Sequence, residues 1–151
     1  MQVIKSIEDA QALVGQELGV SDWLEIDQKR VNDFADATGD HQWIHIDVER
    51  AKKESPYKAP IAHGFLTLSL IPALSKDSYR VENAKLAINY GLNKVRFLNA
   101  VPVGSRIRAR SELVEVKAKD NVADLTVRHT IEIDGADKPA AVAEMIARMV
   151  F

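Results

Sequence analysis

Apolar residues change their spacing once along this chain: through most of the first half they fit helical intervals, and from Leu86 onward they alternate. The first regime predicts helices and the second strands. Ser6 to Val14 is predicted as a short helix, and Leu18, Val20, Leu24 and Ile26, all at even positions, predict a strand over Leu18 to Ile26. Asp27 is a suitable N-cap for a helix running to about Thr38. Val31, Phe34, Ala35 and Thr38 then form one packed face, and Gly39 stands where a left-handed C-terminal residue is wanted. Asp47 to Lys53 predicts one or two further helical turns. The segment from Ile61 to about Ser75 is apolar nearly all round, so this helix is expected to be surrounded by protein. Pro72 removes one backbone bond, which predicts a bend or an end nearby.

In the second half Leu86, Ile88, Tyr90 and Leu92 share one phase and Val95 and Phe97 the other. The slip between Gly91 and Asn93 predicts a bulge or tight bend. Pro102 and Gly104 mark a turn; Ile107, Ala109 and Leu113 begin the next strand, with a second slip before Val114 and Val116. Ala123 to Ile133 alternates cleanly. Ala141, Ala143, Met145, Ala147 and Met149 form the last strand, whose other face also carries Val142, Ile146 and Val150. Helices first and strands later argue for an α+β chain. Four long strands after one apolar helix predict an antiparallel sheet curled around that helix.

Composition narrows the classes. A chain of 151 residues suits one domain, residues 1–151. Twenty basic and 22 acidic residues give a net charge of -2 and no electrostatic footprint for nucleic acid or an anionic membrane. With no cysteine, disulfides, thiolate metal sites and cysteine nucleophiles are excluded. Met1 to Gly15 carries Lys5, Glu8 and Asp9 among short apolar steps and lacks a signal-peptide pattern, so a cytoplasmic address is expected. The longest apolar run, Ala59 to Leu74, is interrupted by His63 and Pro72 and falls short of the roughly 20 residues that span a bilayer.

Polar residues gather around the apolar scaffold at Asp40, His41, Gln42, His45, Asp47 and His63. Four readings compete. His41 and His45 have the i, i+4 spacing of a metal pair that Asp40, Asp47 or His63 could complete, but Gly39 ends the preceding helix and no start signal lies between the histidines. Ser69 could act as a nucleophile, but it lacks a Gly-x-Ser-x-Gly elbow and has helical spacing that favours a bond back to its own helix. Asp40 and His45, five residues apart on one loop, could converge on one water for general acid–base work. The fourth reading is structural, with Asp40 capping a turn and His45 hydrogen-bonded in place. His129, on the apolar phase of a strand, reads as structural, and His63 as shaping the helix entrance by hydrogen bonding. Gly64, at the start of the buried helix, offers a bare N–H where a carbonyl could approach, or else packs closely against a neighbour.

FADATGDHQWIHID (Phe34 to Asp47) and IAHGFLTLSL (Ile61 to Leu70) together resemble the (R)-specific enoyl-CoA hydratases of the MaoC-like dehydratase family. NYGLNKVRF (Asn89 to Phe97) and VPVG (Val101 to Gly104) are similar to that family's strand and turn signatures, and the whole is most similar to its nodulation protein N-like branch. The resemblance implies a hot-dog fold, a homodimer, and an enoyl thioester of CoA as substrate, with no cofactor and no metal. It implies Asp40 and His45 as the catalytic pair and Gly64 as the carbonyl-binding amide. The family commonly reads Gly-Asp-x-Asn-Pro-x-His; here Gln42 and Trp43 occupy the Asn and Pro places. Gln42 can still offer an amide to the site, and Trp43 alters the loop's stiffness. Alternatives to the hydratase are a hot-dog acyl-CoA thioesterase and a non-catalytic acyl-CoA-binding protein.

Overall fold

Side-chain caps set where three of the helices begin. Ser6 Oγ accepts from the Asp9 N–H at 3.1 Å, Asp27 Oδ1 from Arg30 at 2.8 Å and Asp47 Oδ1 from Arg50 at 3.1 Å. Each such cap is worth about 1 kcal/mol. They start α1 (Ile7–Ala12), α2 (Gln28–Thr38) and α4 (Val48–Glu54), close to the predicted bounds, while α3 (Trp43–Ile46) is a single uncapped turn between the last two. The structure, a computed structural model, describes residues 1–151.

The expected strand over Leu18 to Ile26 is broken into β2 (Glu17–Val20) and β3 (Leu24–Glu25). Ser21 interrupts it: its N–H donates to the Ala109 carbonyl at 2.8 Å, and its hydroxyl accepts from the Ala109 N–H at 2.9 Å. A side chain thereby replaces one rung of the ladder, and the chain turns. The apolar helix also differs from expectation. It starts at Gly64 and divides into α5 (Gly64–Ser69) and α6 (Ile71–Ser78) at Leu70. Ile61 and Ala62 are held extended by bonds from their N–H groups to Ile44 and Val101 carbonyls, at 3.0 and 2.8 Å. Pro72 sits in the first turn of α6, where its missing N–H costs nothing. The parallel pair β1 (Gln2–Ile4) and β4 (Tyr79–Val81) has no periodic signature in so few residues.

The main sheet runs β2-β6-β7-β8-β5, with β5 (Leu86–Phe97), β6 (Arg106–Lys119), β7 (Val122–Ile133) and β8 (Ala141–Val150) all antiparallel to their neighbours and β3 on the edge of β6. Register shifts occur between Leu92 and Val95 and between Leu113 and Glu115, at the two predicted phase slips, and a further one lies between Asn89 and Gly91. One face packs Ile107, Ala109, Ile131 and Ala143 against Leu66, Leu70, Ile71 and Leu74 of the central helices. The sheet therefore wraps α5 and α6 in a hot-dog fold of the α+β class.

Enclosure is incomplete within one chain. Phe65 on α5 is 67% exposed, contrary to a helix surrounded by protein on all sides. Leu86, Ile88, Tyr90 and Leu92 of the edge strand β5 are exposed as well. No helix is long and apolar enough to cross a membrane.

Candidate active site

The site is assembled where α2 ends and α5 begins. Gly39 takes φ 82°, a left-handed conformation that favours glycine, and its N–H closes on the Ala35 carbonyl at 2.8 Å. The chain turns sharply there and delivers Asp40. Thr38 Oγ1 bonds back to the Phe34 carbonyl at 2.8 Å and accepts from the Asp40 N–H at 3.4 Å, steadying the turn. Asp40 Oδ1 accepts from the Gln42 N–H at 3.3 Å.

His45 lies on α3 and is buried. Its Nδ1 is 2.7 Å from the Ile61 carbonyl. A carbonyl only accepts, so the proton sits on Nδ1 and Nε2 keeps its lone pair. The main chain of α3 is fixed twice more, by Gln28 Nε2 to the His45 carbonyl at 2.8 Å and by the Ile61 N–H to the Ile44 carbonyl. Burial holds the His45 imidazole below its ordinary range, and His63 pushes in the same direction; the Ile61 carbonyl and Asp40 oppose both. A neutral base at physiological pH follows.

Gly64 is the first residue of α5, and its N–H donates to no acceptor in the chain. It faces a cavity of about 270 Å³ whose wall includes His45, Ala62, Thr67, Phe97 and Val101. The close-packing reading of this glycine is met, since an added Cβ would lie only 2.9 Å from Cδ2 of Phe97. Asp40 is exposed and forms no part of that wall, yet ligating atoms of Asp40, His45 and His63 lie within 4.8 Å of one another.

That trio has the donor set for a metal ion, but its geometry does not fit one. The His45 and His63 rings are stacked, with centroids 3.8 Å apart and planes 22° apart. Their lone pairs lie in nearly parallel planes, side by side, and do not converge on a common point. His41, proposed as a ligand on spacing, instead bonds Asp36 Oδ1 through Nε2 at 2.9 Å, which raises its pKa. Asp47 caps α4. Ser69 Oγ bonds back to the Phe65 carbonyl, as its helical position suggested.

Gln42 contributes through its main chain. Its N–H meets Asp40 and its carbonyl accepts from the His45 N–H at 3.0 Å, while its side chain is exposed and forms no hydrogen bond. Trp43 packs under Arg50, whose guanidinium lies 4.2 Å from the ring centroid, and stays out of the cavity wall. His129 is structural: fully buried, with Nδ1 at 3.0 Å from Ser111 Oγ. His63 stands at the helix entrance as N-cap of α5, and the bond it makes there reaches outward: its Nε2 donates to the Asp40 carbonyl at 3.0 Å. Thr67 and Phe97 join the cavity wall, and their only signal in the sequence is that they fall inside IAHGFLTLSL and NYGLNKVRF.

The chain is similar to known proteins. Residues 9–133 match the model of the family described as MaoC like domain. The chain is 54% identical over 151 residues to the 3-hydroxyacyl-thioester dehydratase Z of Mycobacterium tuberculosis, covering 99% of each chain. It is 42% identical over 148 residues to nodulation protein N of Rhizobium leguminosarum bv. viciae, covering 97% of this chain and 92% of that one. Among solved structures, an unliganded R-hydratase from Pseudomonas aeruginosa superposes with a TM-score of 0.69 at 26% identity, covering 91% of this chain and 81% of that one. An (R)-hydratase from A. caviae gives 0.66 at 26% identity, covering 88% and 96%. With a family match over most of its length and close relatives along all of it, the chain belongs to the MaoC-like dehydratase family and is an enzyme of the hydratase–dehydratase class.

Proposed function

We propose that the chain catalyses the reversible hydration of a trans-2-enoyl-CoA to an (R)-3-hydroxyacyl-CoA. The observation that carries this reading is a carboxylate, an imidazole with a bare Nε2 and an unpaired helix-start amide meeting beside one largely apolar cavity. The thioester oxygen accepts the Gly64 N–H, which draws electrons from C3 and stabilises the enolate-like charge as it develops. One water is held between Asp40 and His45. Its oxygen bonds C3 while its proton passes to the pair, and the C2=C3 electrons move toward the thioester. C2 then takes a proton from the same pair, so water is added in full and no redox partner is needed. Dehydration runs the same steps backward. Gln42 fixes the loop between the two acid–base groups. The (R) outcome is supported by the likeness to two R-hydratases.

The test is direct. Asp40→Asn and His45→Gln are each expected to abolish the loss of crotonyl-CoA absorbance while leaving the fold intact. Near-normal turnover in both folded variants rules out the assignment. A thiol-reactive dye separates hydration from thioester cleavage, since only the latter releases free CoA.

We also propose a homodimer. The edge strand β5 carries Leu86, Ile88, Tyr90 and Leu92 at 43% to 56% exposure, next to a central helix whose Phe65 is uncovered. Contiguous apolar surface on a sheet edge invites pairing, and a second copy offers a matching edge under twofold symmetry.

A further inference from the structure

We propose that His63 is the positioning residue that sets Asp40 and His45 at their working separation, holding the main chain of one and the ring face of the other. The inference rests on the hydratase reading for the roles of that pair. The contacts themselves are independent of it.

His63 precedes Gly64 and is the N-cap of α5. Its Nε2 donates to the Asp40 carbonyl across 23 residues of sequence at 3.0 Å. Its ring stacks on His45 at 3.8 Å, and Phe34 of α2 packs against it at 5.0 Å between centroids. One side chain is thus bonded to the first acid–base residue, stacked on the second and covalently joined to the amide donor. Asp40 is exposed and sits on a turn, so its own packing does little to hold it.

The side chain chosen for this work carries a cost. His63 Nδ1 is buried without any partner. A buried unpaired nitrogen is destabilising, and an apolar ring of the same shape avoids it. Such a ring cannot donate to Asp40. An amide side chain can donate but has no face to cover His45. Imidazole alone supplies both contacts.

The stack also excludes water from His45, whose imidazole is held down chiefly by burial. The titratable groups acting on it are His63 at the start of α5 and Asp40 on the loop after α2; α3 itself contributes none.

Two substitutions separate the contacts. His63→Phe keeps a ring over His45 and removes the bond to Asp40. Its kcat is expected to fall on the order of 10- to 100-fold, as for a displaced catalytic group, with KM unmoved and only the smaller rise of the acid limb that losing the push of His63 produces. His63→Gln keeps a donor and removes the ring. Its acid limb is expected to move to higher pH as His45 becomes hydrated, with a smaller fall in kcat. His63→Asn, which loses both contacts, combines the two defects and stands in for either variant that does not fold.

NMR titration of the His45 ring in the substrate-free protein follows the same movement without turnover. A larger upward shift in the Gln or Asn variant than in the Phe variant is expected, because every variant removes the push of His63 and only the first two also remove the ring. A His45 titration that moves no further in the Gln and Asn variants than in the Phe variant, or wild-type kcat in the Phe variant, overturns the proposal. Failure of the wild-type protein to hydrate any enoyl thioester overturns the hydratase reading alone, because the titration still decides what His63 does.

Discussion

Replacing Gly64 by alanine separates the two demands on that position. The backbone there is not left-handed, so alanine is tolerated conformationally. The new Cβ would lie 2.9, 3.0 and 3.1 Å from Cδ2, Cγ and Cε2 of Phe97. Relaxed carbon contacts lie at about 3.5–4.0 Å, so the ring must retreat by several tenths of an ångström. Phe97 is 47% exposed and can do so. The expected destabilisation is therefore at the low end of overpacking, about 1 kcal/mol, or about 2–4 °C in Tm for a domain of this size.

Activity should respond far more strongly. The methyl group and the displaced ring crowd the approach to the Gly64 N–H, and losing an oxyanion donor costs about 10²–10³ in kcat. Kinetics on crotonyl-CoA and thermal melts of Gly64→Ala, alone and combined with Phe97→Ala, resolve the two effects. Relief of the clash in the double variant is expected to restore Tm and leave turnover low. A single variant whose kcat/KM stays within about threefold of wild type, or a double variant that regains full activity, refutes the carbonyl-binding role. Glycine would then be present only to make room for Phe97.

Two further outcomes are expected. Burial lowers the His129 imidazole from 6.5 to about 4. Between those values the unfolded chain binds more protons than the folded one. The stabilisation is thus complete above about pH 6.5 and is lost as pH falls toward 4, by about 3 kcal/mol in all. Urea midpoints from pH 7 to 4 should fall less steeply for His129→Gln than for wild type, and parallel slopes would refute it. On the sheet edge, Ile88→Lys with Leu92→Glu should halve the sedimenting mass; a wild-type protein that already sediments as a monomer refutes the dimer.

Asp27, Gly39 and Pro72 announced helix boundaries in the sequence because each acts on backbone atoms within a few residues. The bulges of β5 and β6 were legible for a related reason, since a slip in the period-two pattern is itself the extra residue. Asp40, His45 and Gly64 could be picked out by residue type and motif. Which way they faced could not. His41 and His45 have equal claims as neighbours in a string, but one turns outward to Asp36 and the other inward to Ile61.

What tertiary structure alone decided are contacts between segments far apart in the chain. Ser21 breaks a predicted strand by taking a hydrogen bond from Ala109, 88 residues away. The stacking of His63 on His45 and the packing of Phe97 over Gly64 leave no periodicity to detect. Sequence patterns report the face that a residue turns to the core, because burial repeats with the geometry of the helix or strand. They do not report the partner it meets there, which depends on how the folded segments are brought together.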